Sequence, residues 1–102
     1  MKKPVECTNI DEVRNEIDAI DKKVIELLAK RLQYVTEIVR FKKDEVDIIA
    51  KQRYTEVLLV RREWAARAGL DPIVIENMYK HLIGYFIEVQ KKTLNKKTDL
   101  NS

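Results

Sequence analysis

Apolar residues recur through the first forty positions at spacings of three, four and seven: Ile10, Val13, Ile17, Ile20, Val24, Leu27, Leu28, Val35 and Ile38. That period belongs to a helix, and it predicts one continuous helix from about residue 9 to about residue 41, about 48 Å long at 1.5 Å per residue. Thr8 followed by Asp11, or Asn9 followed by Glu12, offers an N-cap, in which a side-chain oxygen takes up an orphan backbone N–H.

The rest of the chain turns rarely, because it holds only two glycines and two prolines. "KKDEVD" at 42–47 has no internal apolar pattern and marks a loop, taken as 43–49. A second helix is predicted from about 48 to about 68, with Tyr54, Val57, Leu58, Trp64, Ala65 and Ala68 inward. Gly69 stands where a left-handed C-terminal cap is wanted. Asp71 and Pro72 then supply an N-cap and a first helical residue whose missing N–H costs nothing. The third helix is predicted from about 72 to about 94, burying Ile75, Met78, Tyr79, Leu82, Ile83, Phe86 and Val89. Beyond it, 95–102 reads as a basic, disordered tail, leaving a single all-α domain over 1–94. A rod of about 48 Å overhangs a helix of about 30 Å packed beside it. The cheapest cover for the overhanging stripe is a second copy of the chain, so an intertwined homodimer is expected.

Composition removes several functions. Hydrophobic residues at 45% and charged residues at 36% describe a soluble helical protein. No run of about 18 apolar residues occurs, and the opening "MKKPVECTNIDEV" lacks an apolar signal core, so no membrane association and a cytoplasmic location are expected. Cys7 and His81 are the only cysteine and histidine, too little material for a zinc site or Cys–His catalysis. The net charge of +3 and pI near 9.0 allow an anionic partner. A nucleic acid is the poorer candidate, since acidic residues interleave with the basic ones throughout.

Polar residues intrude where the pattern wants apolar ones. Counting by sevens from Ile10 gives Ile17, Val24, Arg31 and Ile38, an arginine on the buried line. Lys42 follows eleven residues later and points the same way if the helix persists, about 20° round. Gln90 lies seven after Ile83 and four after Phe86, and Arg14 flanks Val13 and Ile17. Each has a plain alternative, snorkelling or solvent exposure at a helix end. Positions 24, 27, 28, 35 and 38 hold no acid to pair with Arg31, which leaves a carboxylate from elsewhere in the assembly or from a ligand. Arg14 and Arg31 are about 25 Å and about 100° apart on one helix. Antiparallel pairing of two copies brings Arg14 of one chain level with Arg31 of the other.

"ECTNIDEVRNEIDAID", "KRLQYV", "RFK", "AGLD" and "YFIEVQ" closely resemble the all-helical chorismate mutase family, most of all its isochorismate pyruvate-lyase branch. The resemblance covers about residues 4–92. It implies the three-helix chorismate mutase type II fold in a domain-swapped homodimer, and a small dicarboxylate substrate. It also implies a site of Arg14 from the partner chain with Arg31, Lys42 and Gln90. On that pattern the arginines and Lys42 bind the two carboxylates of chorismate or isochorismate. Lys42 and Gln90 donate to the ether oxygen that joins the enolpyruvyl group to the ring. Both family reactions are pericyclic and need no nucleophile, metal or cofactor, only a compact substrate conformer and support for charge on that oxygen.

The mutase branch has a longer loop before helix two, an arginine–glutamate pair opening that helix, and a serine one turn before the glutamine. Here the loop is short, Lys51 and Gln52 occupy the pair, and Phe86 replaces the serine. The expectation is therefore a lyase with mutase side activity, the alternatives being a principal mutase or a non-catalytic helical binding dimer. Gln52 departs from the glutamate usual in both branches. Val35, Ile38, Phe86 and Ile87 are expected on the apolar wall of the pocket, and 43–49 as a lid that closes over it, the alternative being a solvated connection.

Overall fold

A computed structural model of the chain describes the backbone of residues 2–101 and the side chains of residues 2–97. The described residues are helical, in the order α1 (Ile10–Glu37), α2 (Glu45–Ile49), α3 (Lys51–Arg67) and α4 (Pro72–Asn101), with short 3₁₀ turns at Pro4–Glu6 and Ile38–Phe41. No helix among them is long and apolar enough to cross a membrane. The chain divides into two units, Met1–Tyr34 and Val35–Ser102.

The first unit is chiefly α1, and its start is fixed by local chemistry. Asn9 is the cap: its Oδ1 accepts from the Glu12 backbone N–H at 2.9 Å. Glu12 reaches back to the Thr8 N–H at 2.9 Å and is paired with Lys2 at 3.0 Å. Those contacts, the Thr8 amide first and Lys2 second, hold the Glu12 carboxyl below its ordinary value of 4.5. No residue of α1 is buried. Most of the apolar stripe lies open, from 40% exposure at Val13 to 64% at Leu27, with Leu28 and Val35 half-buried.

In the second unit the predicted helix end is corrected. After Glu37 the chain tightens into the 3₁₀ turn Ile38–Phe41, and Lys42 is extended at φ −100°, ψ 141°. A 3₁₀ turn advances about 120° per residue rather than 100°, so the helical projection that carried Lys42 onto the Arg31 line does not hold. The expected loop 43–49 contains a helix instead. Asp44 caps α2 by accepting from the Asp47 N–H at 2.9 Å. α2 and α3 meet at Ala50, a non-glycine residue with φ 42°.

The α3–α4 connection follows its sequence cues closely. Gly69 has φ 80°. The Leu70 N–H donates to Ala65 at 2.8 Å and the Gly69 N–H to Ala66 at 3.2 Å, the paired bonds of a Schellman cap. Asp71 Oδ1 then accepts from Ile73 at 2.9 Å and Val74 at 3.3 Å. Val57, Leu58, Ala65 and Phe86 are buried as expected. Trp64, Ala68 and Met78, expected inward, are exposed. The Trp64 ring instead carries the Arg61 guanidinium 4.5 Å from its centroid. α4 does not end near residue 94 but runs to Asn101. Leu94 joins Val39 and Ile48 in a buried cluster with Ile87 packed against it, and Lys97 Nζ donates to the Arg40 carbonyl oxygen at 3.4 Å. The side chains of 98–102 lie outside the described residues.

Candidate active site

The expected site residues divide between the two units. In the first, Arg14 is exposed and Arg31 half-buried, both on α1. Their spacing along one helix is the about 25 Å given by the rise per residue, so one chain's pair cannot hold one small molecule. Arg31 is not the deeply buried, unpaired cation that the sevenfold spacing suggests: it is half-buried and engaged within the chain.

The second unit carries Lys42, Gln90 and the expected wall. The cluster of Val39, Ile48 and Leu94 with Ile87 clamps the 3₁₀ turn and α2 against α4. Lys42 is the first residue past that 3₁₀ turn. Gln90 lies one turn from Ile87 and one from Leu94 on α4, at 9% exposure. It is the only polar residue in the buried class among the described residues. Glutamine is mostly an exposed residue, so its place on a buried helix face calls for a chemical reason. Phe86, one turn earlier, is 3% exposed and belongs to the core of the single chain. Val35 and Ile87 are half-buried, and Ile38 is exposed.

Lys42 Nζ donates to the Asp47 carbonyl oxygen at 2.9 Å. Asp47 and its cap Asp44 are the residues that sequence reasoning passed over. The available signal was Asp44-x-x-Asp47, a capping pattern ahead of Ile48 and Ile49, hidden because five residues show no helical period. Gln52 is turned along its own helix, its Nε2 lying 3.4 Å from Glu56 Oε1. Among the concavities on this unit, two include Ile49 of α2 in their walls. One of about 820 Å³ is lined by Val46, Ile49, Lys51, Gln52 and Glu56 among others. The second, of about 520 Å³, has Ile49, Tyr54, Lys80, Gly84 and Ile87 in its wall. Neither includes Lys42 or Gln90. Among the described residues no group of three or more His, Cys, Asp or Glu is placed to hold a metal ion.

The arrangement in the second unit offers a fixed cation and a neutral amide, both donors, on elements clamped by one apolar cluster. Groups of these two kinds can bind an anion and support negative charge growing on an oxygen. The chain matches the family described as chorismate mutase type II over residues 13–91. It is 36% identical over 92 residues to an isochorismate pyruvate lyase of Pseudomonas aeruginosa, an alignment covering 90% of this chain and 91% of that one. T-proteins of Haemophilus influenzae and Enterobacter agglomerans are 32% and 33% identical over 72% and 70% of this chain, which spans 20% and 19% of their lengths.

Proposed function

The chain belongs to the chorismate mutase type II family, and we propose that its principal reaction is the release of pyruvate from isochorismate to leave salicylate, with chorismate mutase activity beside it. The likeness to a lyase over nine-tenths of both chains supports this choice of branch. The observation that carries the chemistry is Gln90, a neutral donor at 9% exposure on an apolar helix face. An amide stays a donor across the physiological pH range, as an ether oxygen that gains charge and never takes a proton requires.

In this reaction a ring hydrogen moves to the enolpyruvyl methylene while the ring C–O bond breaks. The methylene becomes the methyl of pyruvate, the ether oxygen becomes its carbonyl oxygen, and the ring becomes aromatic. Lys42 and Gln90 donate to that oxygen as the bond lengthens. Arg31 and, from the partner chain, Arg14 bind the carboxylates, bidentate forks suiting that geometry. Val35, Ile38, Phe86 and Ile87 form the apolar wall that keeps the substrate folded. The rate comes from orientation and fixed charge.

Supply of Arg14 from a second copy makes the working unit an intertwined homodimer in the cytoplasm. The open stripe of α1, 46% exposed at Val24 and 64% at Leu27, supports the dimer, since uncovered apolar surface on this scale marks an interface. A second reading, chorismate to prephenate as the principal reaction, is favoured by the family description itself. Purified protein given isochorismate and chorismate separately tests the order. The larger kcat/KM is expected for isochorismate, and a larger value for chorismate with prephenate as product reverses it.

A further inference from the structure

The Lys42 ammonium is held by a neighbour that the site pattern does not include. Its Nζ donates to the Asp47 carbonyl oxygen at 2.9 Å. The Asp47 carboxylate accepts from the Lys43 backbone N–H at 3.0 Å, and the Asp47 N–H donates to Asp44 Oδ1 at 2.9 Å. One residue therefore grips the lysine at two points, its ammonium through the main chain and its following peptide through the side chain. The grip is itself anchored, because Ile48, the next residue, is 4% exposed in the cluster with Val39 and Leu94.

We infer that Asp47 is a positioning residue for Lys42, an inference that rests on the role given to Lys42 above. A lysine is a point charge on a flexible four-carbon stem, and a flexible donor loses part of its worth in ordering itself at the moment of reaction. The contact with Asp47 does that ordering beforehand. It uses a carbonyl, which takes one of the three ammonium protons and leaves two for the substrate. A carboxylate at the same point would offset the charge that the substrate needs. The Asp47 carboxylate is instead engaged by the Lys43 N–H, which sets the peptide beyond Lys42 and so the direction in which the side chain leaves the main chain.

The test uses the full chain with isochorismate and compares wild type with Asp47→Ala, Asp47→Asn and Lys42→Ala. Asp47→Ala removes the acceptor for the Lys43 N–H and is expected to lower kcat at least about tenfold, with KM changed by less than about threefold, as for a contact realised in the transition state. Asp47→Asn keeps an acceptor oxygen and is expected to restore kcat to within about threefold of wild type. Equal losses in the alanine and asparagine variants, or a wild-type kcat in Asp47→Ala, overturn the inference. Should Asp47→Ala fail to fold, Asp44→Ala frees the Asp47 N–H from the other side, and an unchanged kcat there overturns the inference equally. Lys42→Ala separates the two levels. If it is inactive while Asp47→Ala is unaffected, the positioning role alone fails; if it keeps full activity, the role given to Lys42 fails first.

Discussion

Ile48 of α2 and Leu94 of α4 are buried in one cluster, at 4% and 7% exposure, with Val39 completing it. The segment after Lys42 is thus pinned to the last helix, and any closing motion of 43–49 has to carry Ile48 with it or draw it out of the core. Leu94→Ala is expected to destabilise the protein by about 2–5 kcal/mol, the usual cost of a leucine-sized cavity. Urea denaturation measures it as a lowered midpoint at unchanged slope. Truncation after residue 93 is expected to do at least as much harm.

Gln90 separates chemistry from packing. Gln90→Leu keeps most of the side-chain volume and removes the donor, so it is expected to leave the thermal midpoint within a few degrees of wild type. Loss of one preorganised donor to a charge-gaining oxygen costs about 10²- to 10³-fold in kcat. Steady-state kinetics with isochorismate check this. A variant within threefold of wild type would remove Gln90 from the mechanism.

Much of the fold is legible because its signals are local. Asn9, Gly69 and Asp71 cap helices through atoms two to four residues away, and such pairs can be read directly from the order of residues. α2 is not legible in this way. Val46, Ile48 and Ile49 fall in a five-residue helix, too short to display a period, and what buries Ile48 is Leu94 from the far end of the chain. The basic composition after residue 94 concealed the continuation of α4 to Asn101. The intrusion of Gln90 on an apolar face could be read from its spacing to Phe86. Lys42 was placed by extrapolating a helix that in fact stops, and its contact with Asp47 depends on the turn that replaces it.

Ala50 links α2 to α3 with φ 42° and ψ 65°, a conformation that costs an L residue roughly 1–2 kcal/mol. Glycine removes that strain and gives back roughly 0.4–1 kcal/mol through the freer unfolded chain. Ala50→Gly is therefore expected to stabilise by about 0.5 kcal/mol. Thermal unfolding checks the sign, a rise of about 2–4 °C for a domain of this size. A fall would mean that the flexibility of the unfolded state outweighs the strain.

Glu12 links the start of α1 to pH. Its folded pKa lies below the ordinary 4.5 because the Thr8 amide and then Lys2 favour the carboxylate. A group depressed in this way stabilises the folded state above its unfolded pKa, and the contribution disappears as pH falls through the folded value. Wild type is expected to be more stable than Glu12→Gln at pH 6, with the gap closing below pH 4. Denaturant midpoints of both proteins across that range make the comparison. A gap independent of pH would assign the difference to packing rather than to charge.

The origin of Arg14 is decided by mixing inactive subunits. In the proposed homodimer, Arg14→Ala and Lys42→Ala are each expected to break both sites. If Arg14 serves the partner's site, the mixed dimer rebuilds one complete site: the Arg14→Ala chain keeps its own Lys42 and receives Arg14 from the other chain. The second site carries both losses. Random reassociation makes about half the dimers mixed, as two-fold assembly requires, so about a quarter of wild-type activity is expected from two inactive stocks unfolded and refolded together. If Arg14 served its own chain, each site of the mixed dimer would lack one residue and no activity would return. Refolding each stock alone supplies the control. Recovery rising from zero to that quarter as the two are brought to equal amounts identifies a site shared between chains.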